Sequence, residues 1–553
     1  GEKGYVNLSI NLPTQPTSRA NDVYDDGLPA EYKVNDATLL LFAGATEAAA
    51  TFQSAYELDV TGFATQAPAT DNITTKATLV QEITTPTTTS EQNIYALVVI
   101  NDNDLLTVNA NVASLNGTSL TGKTFADVYG QALTLSSAAK LTGDGFFMTN
   151  APLANKAGGT VQPTDVEVTT LAKIDKTAIY HTASEASSKP ATTIYVERAV
   201  AKVTVKANDA SAVTGGNPLI AAYDVEGWAF NVLNTKTYAV RNVAGATWWE
   251  YTKAGQTADY RFVGSTPVAT GLYRTYWGID PNYSTAYAAS DFTITSGTEL
   301  DNTTLYGFGE NNPGYCIENT FNTTNQINNR TTQVVLKAKL TITGAETDGS
   351  FYTLNGNTST IYQKTGVENI IKPDVMEWLE ENKATYIENG TVDGDKLAVV
   401  LSNATTDKAG KVTITSVTLP EDAATGITFA DGQNLQTLNA AIATQVAVLN
   451  GNLTIDYYKD GYAYYPILIK HFGDDQTPWA ADGSEGYTSE ADFLGRYGAL
   501  RNNWYDITVS GIKNIGTSSV PDVTDKFDDP ENTYISVAIN VLSWAKRTQS
   551  VEL

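Results

Sequence analysis

The sequence predicts a mainly β protein with a few short helical insertions, and three observations lead there. Runs rich in Val, Ile, Thr and Tyr recur along the chain, bounded by Gly, Asn, Asp or Pro, which is the composition of strands and their turns. Several runs alternate: Val203 and Val205 flank Thr204, and Leu336, Ala338 and Leu340 share a face opposite Lys337 and Lys339. The 553 residues exceed one ordinary core, so two or more domains are expected, and a hydrophobic content of 42% is ample to fill them.

In chain order, strands are predicted over 37–43, 94–100, 193–206, 333–343, 411–419, 462–470, 505–512 and 534–542. Three helices interrupt them. The clearest, 434–449, carries Leu435, Leu438, Ile442, Val446 and Leu449 at steps of three or four, with Asp431 or Asn434 as cap and Asn450-Gly451 as stop. A second, 374–381, opens after Pro373, and a third spans 125–133. The Gly-, Ser- and Asn-containing stretch 208–217 reads as a boundary dividing the chain into domains 1–212 and 213–520. The acidic, Pro-containing stretch 516–532 leads into a terminal segment, 521–553, made of a linker and a last strand. Such a spacer is either solvated and able to swing away, or a loop wrapping its own domain.

Formal charge is -26, from 35 basic and 61 acidic residues, which disfavours nucleic acid or an anionic membrane as partner. Cys316 is the only cysteine, so no intrachain disulfide can form, and its strand-forming neighbours predict a buried structural thiol. No run reaches the length of a membrane-spanning helix. The chain begins at Gly1 rather than Met, which reads as the removal of a leader.

The two ends carry nearly the same strand. Residues 5–12 read Tyr-Val-Asn-Leu-Ser-Ile-Asn-Leu and residues 534–541 read Tyr-Ile-Ser-Val-Ala-Ile-Asn-Val. Each presents four aliphatic side chains on one face: Val6, Leu8, Ile10 and Leu12, against Ile535, Val537, Ile539 and Val541. Segments with the same apolar face fit the same groove. Shortly after the first copy stands Arg19, followed by Ala20, the only basic residue between Lys3 and Lys33, in a stretch with Pro13, Pro16 and Pro29 that disfavours regular structure. A cut after Arg19 would detach segment 1–19, and the tail of another subunit could replace it.

With those residues in view, the chain resembles the Mfa-like fimbrilins, shaft subunits of Bacteroidia-type (type V) pili. Residues 195–203, Tyr-Val-Glu-Arg-Ala-Val-Ala-Lys-Val, are similar to the family's Val-Glu-Arg-x-Val-Ala-Lys/Arg strand. Residues 331–340 resemble its Val-Leu-x-Ala-Lys strand, and Arg501-Asn502-Asn503-Trp504-Tyr505 its Arg-Asn-Asn-x-Tyr motif. Residues 536–544, with the closing Val551-Glu552-Leu553, resemble the family's terminus, although Ile539 replaces a Val. The resemblance implies two transthyretin-like β-sandwich domains and export to the outer membrane as a lipoprotein precursor, although the lipobox cysteine is absent from this sequence. It further implies cleavage by an Arg-specific protease at Arg19-Ala20 and polymerisation by donor-strand exchange. Residues Val6, Leu8, Ile10 and Leu12 would form the cleavable strand, and Ile535, Val537, Ile539 and Val541 the donor. The partners would be further copies of the chain, anchor or tip pilins, the protease and an unspecified surface receptor, in a fimbrium that supports adhesion and biofilm formation.

Catalytic chemistry is not expected. His181 and His471 are the only histidines and lack metal-ligand spacing, and no nucleophile motif accompanies either. Gly307-Phe308-Gly309 lacks the third glycine of a dinucleotide fingerprint, and Asn101-Asp102-Asn103-Asp104 departs from the calcium-loop pattern. No cofactor is implied. The aromatic clusters Trp248-Trp249-Glu250-Tyr251 and Tyr273-Arg274-Thr275-Tyr276-Trp277 read as plugs of sandwich cores or of subunit contacts. The alternative is a monomeric surface protein that binds glycans on a platform around Trp248 and Trp249.

Overall fold

A computed structural model describes residues 1–13, 28–65, 73–158, 166–207, 215–243, 248, 261–402, 407–477, 487, 489–527 and 535–543. The chain is mainly β, as its strand-forming runs predict. The first sheet collects β1 (Lys3–Pro13), β2 (Ala37–Gly44), β3 (Thr51–Glu57), β4 (Ala64–Thr65), β5 (Ile73–Thr84), β6 (Asn93–Ile100), β7 (Met148–Asn150) and β8 (Thr192–Arg198). Their order across the sheet is β3-β2-β6-β7-β8-β1-β5-β4. The opening strand is therefore interior. It runs antiparallel to β5 from Lys3 opposite Thr84 to Leu12 opposite Thr75, and parallel to β8 from Leu8 opposite Thr192 to Asn11 opposite Tyr195.

The run predicted as one strand over 193–206 is broken at Ala199, and its second half is β9 (Val200–Ala207). The break has a physical cause: the chain changes cores there. Val196, Ala199 and Val200 pack in the first core with Leu39, Leu41 and Val98, whereas Ala201, Val203 and Val205 pack in a second. Two sheets enclose that second core. One contains β10 (Ile220–Asn231), which pairs with β12 (Gln333–Ile342), which in turn pairs with β13 (Tyr462–Leu468). The other has the order β11-β9-β14-β15, with β11 at Gly314–Ile317, β14 at Asn503–Ile512 and β15 at Ile535–Ser543. Cys316 on β11 is buried in the second core, and burial pushes its thiol up to about 12, as expected of a structural cysteine.

Between β12 and β13 lies an insertion with its own core, built on α1 (Lys364–Tyr386) and α2 (Leu435–Asn452). The second matches the predicted cap and stripe: Asn434 accepts a hydrogen bond from the Thr437 amide, and Leu438, Ile442, Val446 and Leu449 are buried. The first is longer than predicted. Pro373 lies inside it, because Val367, Ile371, Val375 and Leu379 form one buried stripe that outweighs a single lost amide. The helix predicted over 125–133 stops at Tyr129, where Gly130 caps it, and Ala132–Thr134 pairs instead with Lys236–Tyr238. The predicted strand 411–419 divides at Thr413 into pieces that pair with different neighbours. Among the described residues, no helix is long and apolar enough to cross a membrane.

Because Leu8 is fully buried within the first core, Leu8→Ala should lower unfolding stability by about 2–5 kcal/mol. The exposed Val112→Ala should stay within about 0.5 kcal/mol. Urea unfolding followed by fluorescence measures both.

Candidate assembly site

The opening strand buries both of its faces. Val6, Leu8 and Ile10 are 0, 0 and 1% exposed and point into the first core. On the opposite face Asn7, Ser9 and Asn11 are also buried, and the helical turn Ala183–Ala186 packs against β1 and β5. Asn7 Nδ2 donates to the Ser187 carbonyl at 3.5 Å, and Asn11 Nδ2 to Ser9 Oγ at 3.4 Å. Beyond the β8 ladder, Tyr5 exchanges backbone hydrogen bonds with Tyr180, and the Asn7 carbonyl accepts from the Ala191 amide. The Tyr5 hydroxyl donates to Glu82 Oε2 at 2.9 Å, and this bond to the carboxylate raises its pKa. Leu12 pairs with Thr75 through its backbone, while its side chain and the Arg19-Ala20 pair lie outside the described residues.

The closing strand has a different setting. β15 lies antiparallel on β14 of its own chain, with Ser543 opposite Asn503, Val537 opposite Val509 and Ile535 opposite Ile512. It forms the edge of its sheet, with pairing on one side among the described residues. The side chains of Ile535, Val537, Ile539 and Val541 lie outside the described residues. The spacer before it lies on its own domain as far as Phe527. There the Asn328 and Asn329 amides donate to the Lys526 and Thr524 carbonyls, and Val520 is buried. Of the two readings of the spacer, the wrapping loop describes residues 516–527; residues 528–534 lie outside the described set.

The motif residues of the two central strands meet at the joint between the two cores. Glu197 pairs with Arg241 through both carboxylate oxygens, at 2.9 and 3.1 Å, and Arg501 pairs with Glu318 at 3.3 Å. The Arg198 amide donates to Asn502 Oδ1 at 3.1 Å, and the Asn502 amide to the Val200 carbonyl. Lys202 lies over the Trp504 ring at 4.2 Å from its centroid, and Trp504 Nε1 donates to Thr204 Oγ1 at 2.7 Å. The centre of this network is a residue that sequence reasoning missed. Glu31, in the helical turn Pro29–Tyr32, is wholly buried and receives Lys202 Nζ at 2.6 Å and the Tyr315 hydroxyl at 2.7 Å. Burial and the Glu31 carboxylate raise the Tyr315 pKa, so this phenol remains a donor. No pattern in the chain marks Glu31, because its partners lie at positions 198, 202 and 315. These charges are paired and enclosed, so they lock strands together rather than wait for a ligand.

The remaining polar candidates are structural. His471 is buried between the Tyr505 hydroxyl and the Tyr276 carbonyl, each at 2.7 Å, and burial lowers its pKa to about 4. Glu47 lines a cleft of about 500 Å³, but its carboxylate accepts the Thr170 and Leu171 amides. Asn101 donates to the Lys33 and Phe146 carbonyls, and Asp102 accepts from the Asp104 amide, so these side chains shape a turn. Trp248, Tyr276 and Trp277 are buried rather than arrayed as a platform, and Trp249 lies outside the described residues. Among the described residues no group of His, Cys, Asp and Glu is arranged to hold a metal.

Residues 456–550, from the strand before β13 through β15, match the family described as "Major fimbrial subunit protein type IV, Fimbrillin, C-terminal". This match bears out the fimbrilin resemblance, supports a pilus subunit and names a structural class rather than an enzymatic one. Among solved structures, a fimbrilin (FimA) from Porphyromonas gingivalis is 13% identical over 98% of each chain, with a TM-score of 0.36. A putative cell adhesion protein from Parabacteroides distasonis is 11% identical over 99% of each chain, with a TM-score of 0.35. Likenesses at that level carry no argument here. No curated protein matches the chain.

A buried neutral His471 makes the folded state bind fewer protons than the unfolded state once the pH falls below about 6.5. Its share of stability is full above that pH and declines toward about 4, by roughly 3 kcal/mol in all. In His471→Gln that part of the acid destabilisation should be absent, which chemical unfolding at pH 7 and pH 4.5 measures.

Proposed function

We propose that the chain is a shaft-forming pilus subunit at the cell surface, polymerised by protease-triggered donor-strand exchange. The observation that carries the reading is the setting of β1: an interior strand whose apolar residues Val6, Leu8 and Ile10 fill the first core, matched in pattern by an edge strand at the other end of the chain. Cleavage after Arg19 would leave β1 held only by its contacts, and Ile535, Val537, Ile539 and Val541 of a second copy would take the places of Val6, Leu8, Ile10 and Leu12. Each molecule keeps an acceptor and a donor, which suits a repeating subunit. Four aliphatic side chains at about 1.5–3 kcal/mol each give roughly 6–12 kcal/mol of gross burial on either side of the exchange. The swap is thus near balance locally. Its direction comes from the loss of the covalent tether on the cut strand, since a detached segment diffuses away.

The same reading assigns the chain a first domain of 1–212, a second of 213–520 and a donor segment of 521–553. The change of core at Ala199–Ala201 supports two domains, with β9 on the side of the second, since Val203 and Val205 pack in its core. The Arg-specific protease, anchor or tip pilins and export as an outer-membrane lipoprotein precursor belong to the proposal through the fimbrilin resemblance.

Trace trypsin should remove residues 1–19 from the purified chain and yield ladders or filaments on native gels and in negative-stain images. Arg19→Ala should remain monomeric under the same treatment. Val537→Asp should be cleaved yet fail to assemble, because a carboxylate cannot enter an apolar groove without a large penalty. Polymer formation by Arg19→Ala at the wild-type rate would refute the maturation step.

A further inference from the structure

We propose that Glu31 is a positioning residue: a latch that holds the chain downstream of the cut at the joint between the cores, so that the opening strand leaves alone. This rests on the exchange reading above and adds what happens to the other side of the cleavage. The turn Pro29–Tyr32 begins nine residues after Ala20, so cleavage makes it the first described element of the new N-terminal end. Chain ends of this kind fray unless something ties them down.

Here the tie is unusually complete. Glu31 Oε1 accepts from Lys202 Nζ at 2.6 Å and from the Leu28 amide at 2.7 Å, and Oε2 accepts from the Tyr315 hydroxyl at 2.7 Å. The Glu31 carbonyl takes a further bond from Arg198 Nε at 2.6 Å. Lys202 and Tyr315 stand on the paired strands β9 and β11, which have one face in each core: Val200 and Ile317 pack in the first core, Ala201 and Cys316 in the second. The carboxylate is therefore fastened to strands that do not depend on β1 for their pairing, and Arg198 ends β8 at a point where that strand pairs with β7 rather than β1. Charged groups this deeply enclosed make an expensive bond to break, because the Glu31 carboxylate would be left buried without its donors. A second consequence follows for the filament. When β1 departs, the latched turn keeps Tyr32 and Val34 packed against the first core.

The test places a recognition sequence for a site-specific protease at residues 17–22 of the full chain, so that the nick does not depend on Arg19 being the natural site. Hydrogen exchange of the amides at 28–34 is then measured before and after nicking, with a synthetic peptide of residues 534–543 added to displace β1. In the wild type, protection over 28–34 should be the same before nicking, after nicking and after displacement. In Glu31→Gln it should fall by about tenfold or more after nicking and by less than about threefold before it, since the uncut chain still tethers the turn from upstream. Tyr315→Phe, a milder change, should show a smaller loss with the same dependence on the nick, and it decides the matter if Glu31→Gln does not fold. Equal protection in nicked wild type and nicked variants would overturn the latch. So would a loss of equal size before and after the nick, which marks a merely structural residue. If the peptide fails to displace β1 while 28–34 keeps the predicted pattern, the exchange reading fails and the latch stands.

Discussion

A strand with a hydrogen-bonded ladder on each side cannot leave a sheet unless something else takes its place. β1 is such a strand, between β8 and β5, with Val6, Leu8 and Ile10 in the first core beneath it. Emptying its position would unpair the facing backbone groups of two neighbours and open an apolar slot through the middle of the sheet, not at its rim. Burial of those three side chains alone is worth roughly 5–9 kcal/mol gross. Register is fixed as strongly as position, because a slip of one residue would turn Asn7, Ser9 and Asn11 into the core. Any replacement must therefore repeat both the length and the alternation of residues 5–12, and residues 534–541 do so within this chain.

The strands around the second core repeat the local arrangement. β14 lies between β9, to which it is parallel, and β15, to which it is antiparallel; β1 lies in the same way between β8 and β5. Since β8 and β9 are successive halves of one run, the two cores share a common spine that passes from one to the other at Ala199. Glu197, Arg198, Lys202 and Arg501 of that spine and of the segment opening β14 are buried and bonded across the joint, whereas Lys206 at the far end of β9 is exposed.

Much of this was legible in the sequence. Strand-forming runs bounded by turn residues located β2, β6, β12, β13 and β14 to within about two residues because each has at least one face committed to a core. The helix α2 announced itself through a cap, a stripe and a stop. Local reasoning failed where distant contacts decide. Pro373 argued for a helix start, yet buried residues on both sides of it carry α1 through the proline. The run 193–206 gave no sign of the break at Ala199, since the residues on either side are equally apolar and differ only in which core receives them. The likeness of the two termini was readable from pattern, but the contrast between an interior β1 and an edge β15 was not, because sheet order depends on strands far away in the chain. Glu31 was invisible for the same reason: a lone carboxylate near a proline acquires meaning only when positions 198, 202 and 315 close around it.

The central claim is that the tail of one molecule occupies the slot of β1 in the next, and a directed disulfide tests it most simply. Leu8 lies opposite Leu79 on β5, and Val537, its counterpart in the tail, lies opposite Val509 in its own chain. Chains carrying Leu79→Cys and chains carrying Val537→Cys are mixed, cleaved, allowed to polymerise and oxidised; the native Cys316 is buried and does not compete. Directly opposed strand residues lie within disulfide reach, so the account predicts a bond between the two kinds of chain that forms only after cleavage. Filaments in which that bond never forms, while a Val509→Cys/Val537→Cys chain still closes within one molecule, would contradict it.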